Sequence, residues 1–222
     1  MKIFIHSIIA VVIFSFANPG FSQTVNWRSL ENSDNHIVNL NAGWDYATTF
    51  GIGYGHKLNT QIPLIIGMEF SLPAGDQMFD DLKTKVGAQA EVFRSGNFSA
   101  SVKFQGIFRR YESDFVRLAN FGSEISTALG YYRSTWYAAA EFGFDKSIIT
   151  HIKHGSVMEE YYPEIKSGWY IPTGGNFFYG IQGGYSFKEA DLYLKAGKTV
   201  TQDFKTTATV PYYLQLGINK RF

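Results

Sequence analysis

From residue 38 to the carboxyl end, apolar and polar side chains alternate with a period of two, the pattern of strands with one apolar face. Val38, Leu40, Ala42, Trp44, Tyr46, Phe50, Ile52 and Tyr54 share one parity, opposite Asn39, Asn41, Asp45, Gly51 and Gly53. Residues 38–58 are about twice the length of one membrane strand, so the run is expected to break into two near residues 43–45. Further strands follow. Ile62 to Phe70 alternates next, and then Leu82, Val86, Ala88, Ala90 and Val92 stand opposite Lys83, Lys85, Gln89 and Glu91. Phe98, Ala100, Val102, Phe104 and Phe108 lie opposite Ser99, Ser101, Lys103, Gln105 and Arg109. Strands centred on Ile125, Ala140, Ile181, Leu194 and Leu216 complete a count of ten, with eight as the alternative.

The connections divide into two kinds. Short turns are expected around Asn59, Gly96, Arg133 and Lys188; longer loops are expected around Gly75, Asp114, Gly155 and Lys205. Residues 111–122 read as a polar loop and residues 146–175 as the longest loop. Short turns at one end and long loops at the other describe a transmembrane barrel. The alternation alone does not say which face is inside: a soluble, lipocalin-like periplasmic binder would turn the apolar face inward.

The amino-terminal residues bear on that choice. Lys2, the apolar run from Ile3 to Phe16 and the small residues Gly20 and Ser22 read as a secretory signal peptide, residues 1–22, cleaved near Ser22. Residues 23–35 then read as a periplasmic lead-in and residues 36–222 as the barrel. Without Lys2 the chain carries 19 basic and 19 acidic residues, and a neutral chain is a poor nucleic-acid partner. It has no cysteine, so an exported protein of this size relies on its core and its hydrogen-bond ladder. Export without another apolar run of about 20 residues leaves a closed barrel as the way to cross a membrane.

The last strand carries a family resemblance. Gln215, Gly217 and the terminal Phe222 resemble the carboxy-terminal assembly signal of bacterial outer-membrane β-barrels, with Lys220 where that family prefers an apolar residue. The chain as a whole resembles small barrels of the outer-membrane-protein A and X type, or a porin-like barrel. The resemblance implies an all-β, antiparallel, up-and-down transmembrane barrel in the outer membrane. Its implied partners are the lipid bilayer and, through the final strand, the barrel-assembly machinery; no surface ligand is identified.

With the polar face inside, Glu69, Lys83, Lys85, Glu91, Lys103, Arg109, Glu124, Glu141, Asp145 and Lys195 fall in the lumen. Lys83, Lys85 and Arg109 form a basic half that faces an acidic half of Glu124, Glu141 and Asp145, an arrangement suited to a charge plug or to a gate in a small barrel. Tyr161, Tyr162, Trp169 and Tyr170, stiffened by Pro163 and Pro172, make an aromatic loop surface. The bland reading of that surface is an interfacial girdle. His151 and His154, three apart with Glu159, Glu160 and Glu164 downstream, would share a metal only on a helix; solvated loop histidines are the default. His154-Gly155-Ser156 resembles the His-x-Ser pair of outer-membrane lipid A deacylases but falls in a loop without the polar residue that usually follows, and Asp80-Asp81 resembles the paired aspartates of ten-stranded outer-membrane proteases without a recognisable aspartate and histidine partner. The expected function is therefore a non-enzymatic structural or surface-interaction barrel with no cofactor and no metal. The alternatives are a small-solute channel, a lipid-modifying enzyme and the soluble binder.

Overall fold

Ten strands close into a ring, and the seam is where the two ends of the chain meet. The computed structural model describes residues 24–31, 33–75 and 79–222; the segment read as a signal peptide lies outside them. In chain order the strands are β1 (His36–Trp44), β2 (Thr48–Leu58), β3 (Leu64–Pro73), β4 (Asp81–Ser95), β5 (Phe98–Glu112) and β6 (Val116–Tyr132). They continue with β7 (Trp136–His154), β8 (Gly168–Tyr170), β9 (Gly175–Phe187), β10 (Ala190–Thr201) and β11 (Tyr212–Arg221), and a short helix α1 (Ser156–Tyr161) precedes β8. Every pairing is antiparallel. β1 meets β11 from Ile37 opposite Arg221 to Trp44 opposite Leu214, and β6 pairs with β7, so the sheet has no free edge around the barrel. β8 stands outside the ring count, added to the outer end of β7.

Two stretches read as loops are strand. Residues 111–112 and 116–122 extend β5 and β6, leaving a turn of residues 113–115, and residues 146–154 extend β7 to 19 residues. The physical reason is a bulge. Phe121 pairs with Ile149 while Gly122 pairs with Ser147, so Ile148 is extra and the parity of β7 slips by one residue. The connections at the loop end are uneven: residues 45–47 and 113–115 are brief, whereas 155–174 and 202–211 are longer than any connection at the turn end.

The faces are inverted relative to a water-soluble protein. Leu40 (53%), Ile52 (54%), Phe104 (59%) and Ile181 (70%) are exposed on the wall, while Gln105 (0%), Asn39 (1%) and Glu124 (5%) are buried in the lumen. Such a wall is stable only against lipid. Outward aromatics mark its borders: the exposed Phe98, Trp136 and Tyr185 toward the turns, and the exposed Phe121 with the half-buried Phe108 and Phe177 toward the loops. Ten residues separate Phe98 from Phe108 on β5, and a tilted strand climbs about 2.6 Å per residue, so the band is about 26 Å tall, matching the ~25 Å of transmembrane barrels.

The turn end is sealed from within. Residues 24–30, read from sequence as a lead-in, lie inside the barrel mouth, where Val25 and Trp27 pack on Ile37, Ile65, Tyr132, Tyr137 and Tyr193. Asn26, fully buried, donates from Nδ2 to Arg133 O and Ser186 Oγ, each at 2.8 Å, and Asn219 Nδ2 donates to Thr24 O at 2.8 Å. Arg28 reaches Gly96 O on another turn. Arg221, beside the seam, donates to Ser29 O and lies 3.1 Å from Asp34 and 3.4 Å from Asp191. The segment thus ties the turns to one another across the lumen. Trp27→Ala should lower unfolding free energy by about 3–5 kcal/mol, as truncation of a buried aromatic does. In a detergent gel this reads as loss of the folded band at a lower incubation temperature than for the unmodified protein.

Candidate functional site

Above the plug the lumen widens in stages toward the loops. At the loop end is a cavity of about 720 Å³ lined by Lys83, Arg109, Asn120, Asp145, Lys146 and Asp203 among others. Below it a chamber of about 90 Å³ lies between Glu69, Lys85, Glu124, Lys195 and Tyr213. Next to Lys103 and Glu141 only about 10 Å³ remains.

The mouth is built on Tyr46. Arg109 Cζ sits 4.4 Å and Lys83 Nζ 5.1 Å from its ring centre, a doubly cationic stack. Each cation has its own carboxylate: Lys83 Nζ to Asp45 Oδ2 at 2.6 Å, and Arg109 to Asp81 through a two-pronged contact at 2.8 and 2.7 Å. Tyr46, which the alternation places on the apolar outward face, turns into the lumen mouth instead, past the end of β1 at Trp44. The signal that would have found Asp81 is its spacing of two from Lys83, which gives both the same strand face.

The constriction is a chain of alternating charge. Lys85 Nζ lies 2.8 Å from Glu124, Lys103 Nζ lies 3.7 Å from both Glu124 and Glu141, and Lys195 Nζ lies 2.8 Å from the Glu141 carboxylate. Five groups from β4, β5, β6, β7 and β10 are joined in one line. Glu124 keeps 6% of its side-chain surface and Glu141 3%, so the charges are withdrawn from bulk water and depend on each other. Lys195 also lies 5.8 Å from the Phe178 ring and 5.4 Å from the Tyr213 ring. Among the described residues Glu69 and Asp145 have no cationic partner within 4 Å. Glu69 accepts from Asn41 at 3.4 Å and Asp145 from Asn176 at 2.9 Å. Glu91 stands apart from the line, held by Arg94 and by Ser99 Oγ at 2.5 Å near the turns. The sequence-read halves therefore meet only at Lys85 and Glu124, while Lys83 and Arg109 pair on their own side.

Large rings enter so narrow a lumen because glycines lie beneath them. A Cβ on Gly217 would come within 2.4 Å of the Tyr193 ring, and one on Gly143 within 2.2 Å of Phe178. Gly217, read as part of the assembly signal, has this packing role. Gln215 faces the 90 Å³ chamber opposite Lys195, and Phe222 lies on the exterior with its ring 5.6 Å from His36 across the seam.

The outer loop residues do not converge. Trp169 lies on the exterior face, 4.8 Å from His151 and 6.4 Å from Phe121, whereas Tyr170 takes the opposite face of β8 and donates to Lys166 O at 2.6 Å. Tyr161 and Tyr162 are exposed at the end of α1. Because residues 151–154 are strand, His151 and His154 point to opposite faces and cannot share an ion. His154 engages Ser167 through its backbone N–H (3.0 Å) and its ring, while Ser156 begins α1.

Comparisons with known proteins add little to this geometry. No family model matches the chain, and no curated protein does. Among solved structures it is similar to the KdgM porin in complex with disordered oligogalacturonate, at 11% identity over 84% of this chain and 99% of that one, with a TM-score of 0.44. It is also similar to KdgM porin alone, at 11% identity over the same shares, with a TM-score of 0.42. A likeness of that degree transfers neither a ligand nor a strand count. The polar lumen and apolar wall decide the architecture. The chain has the build of a small transmembrane β-barrel.

Two outcomes follow from the site. Glu124→Gln strands Lys85 and should destabilise the barrel by about 3–5 kcal/mol, less where the 90 Å³ chamber admits water. Lys85→Met with Glu124→Leu should recover most of that, as read from urea unfolding in lipid vesicles. At the mouth, Asp203 accepts from Lys205 N (2.9 Å) and Thr206 N (3.1 Å) and so holds its carboxyl well below the usual range. These bonds fix a turn in which Phe204 adopts φ 55°. A depressed carboxyl stabilises its loop above an unfolded pKa of about 3.9 and loses that contribution as pH falls toward the folded value. Amide exchange at Lys205 and Thr206, corrected for intrinsic rate, should stay flat from about pH 5 to 8 and rise only below about pH 4.

Proposed function

We propose that this protein is an integral outer-membrane β-barrel whose lumen is closed at rest and which acts through its loop end at the cell surface. The carrying observation is the graded filling of the lumen, from a cavity of about 720 Å³ to about 10 Å³ and then a sealed turn end. The turns face the periplasm in this reading, as brief turns do in barrels of this class. Tight filling suits ten strands, which leave little room once side chains enter.

A second reading, a small-solute channel, draws on what the filling is made of. The turn third combines an apolar cluster around Trp27 with the buried Arg221, Asp34 and Asp191, whereas the middle is filled by a line of buried lysines and glutamates alone. Ion pairs withdrawn from water stabilise a core no better than apolar packing of the same volume. A purely structural filling would not need them; a path for water or ions would. Among the described residues Glu69 and Asp145 have no cation within 4 Å, and such a path would favour cations.

Fractionation, heat-modifiability and planar-bilayer recording on the mature chain test both readings. The proposal expects recovery in the outer membrane, a boiling-dependent gel shift and no steady conductance. A steady conductance from the unmodified protein replaces it with the channel reading, and recovery as a soluble periplasmic protein overturns both.

A further inference from the structure

The apolar band ends, but the strands of one side do not. On β6, Tyr131 and Phe121 are ten residues apart and bracket the band, and Arg117 lies four residues beyond with the same outward parity, about 10 Å higher. On β5, Arg110 stands two residues past Phe108, about 5 Å higher. On β7, Lys153 lies on the outward face four residues beyond Ile149, the partner of Phe121, and so at about the height of Arg117, about 10 Å above the band. Arg117 and Lys153 are direct cross-strand partners. Beside them Trp169, 59% exposed, is held against His151 and Phe121, and Phe121 lies 5.0 Å from Phe108.

The charges on this face are graded sideways. Glu112 bonds Arg110 and Arg117, and with Asp80 and Asp114 it lines a separate recess toward β4. Lys153 has no carboxylate within 4 Å among the described residues. Positive charge is therefore in excess toward β7 and the aromatic cluster.

We propose that this outward face of β5, β6, β7 and β8 binds the phosphorylated saccharide headgroup of an outer-leaflet glycolipid. Arg117 and Lys153 take the phosphates and Trp169 stacks on a sugar face. The face is continuous with the lipid-facing wall, so the molecules beside it are lipids whose chains cover the band below. Height selects among them. A phospholipid headgroup layer is about 5–8 Å deep, which reaches Arg110 but neither Arg117 nor Lys153. Only a headgroup several sugars deep spans the whole set. Exposed indole and guanidinium groups match such a ligand, the first through its flat apolar face and the second through paired donors for phosphate.

The inference rests on the outer-membrane reading, and its test separates the two. Full-length mature protein in detergent is titrated with lipid A carrying its phosphorylated inner core, with the same glycolipid after phosphatase treatment, and with phosphatidylglycerol, following retained lipid by native mass spectrometry. The expected result is retention of the first at least tenfold stronger than of the other two. Arg117→Ala with Lys153→Ala should weaken it about tenfold, and Trp169→Ala should weaken it with no change in phosphate dependence. The variants alter exposed side chains, and an unchanged boiling shift verifies that each remains a folded barrel. Equal retention of phosphatidylglycerol, or no loss in the double variant, overturns the site while leaving the barrel intact; absence of the boiling shift from the unmodified protein would instead remove the membrane reading beneath it.

Discussion

In lipid, a backbone N–H or C=O without a partner has no water to turn to, and the closing pairing of β1 with β11 removes that exposure from the barrel wall. Everything else follows from keeping that ring shut. His36 and Phe222 exchange backbone bonds at 2.9 and 3.0 Å at the turn end of the seam, and Arg221 next to them fastens the amino-terminal segment to the same place. The first and last residues of the ring are thus joined both along the wall and across the lumen. A barrel that closes on its last strand cannot complete its turn end before that strand is in position.

The inverted polarity sets a second demand. With apolar side chains committed to the wall, the interior must be filled by polar ones, and each brings groups that need partners. The lumen answers in two ways. Where residues 24–30 enter, it makes a small apolar core around Trp27, using aromatic residues that strands alone would have left facing a void. Where the segment does not reach, it uses the line from Lys85 to Lys195, in which each charged group has an opposite neighbour. The mouth repeats the second solution around Tyr46, with room left above it. Closure and polarity also explain the outer overhang. Once β5, β6 and β7 leave the band, their outward faces no longer need to be apolar, and Arg110, Arg117 and Lys153 appear where aliphatic residues stop.

The sequence by itself determined a count of ten strands, with eight as the alternative, and which side chains share a face within each regular stretch of strand. Parity is a local property: a strand residue and its second neighbour share a face whatever the rest of the chain does. Lys83, Glu124 and Lys195 could therefore be placed in the lumen without coordinates. The tertiary structure alone decided who meets whom. Asp45 and Asp81 claim Lys83 and Arg109 through the angle at which neighbouring strands cross the lumen, which no single strand records. The bulge at Ile148 shifted parity and hid nine residues of strand in an apparent loop. Residues 24–30 have no periodicity to betray them, because a segment filling a cavity takes its shape from the walls around it. Alternation is written into each strand; shear, bulge and filling exist only after the ring has closed.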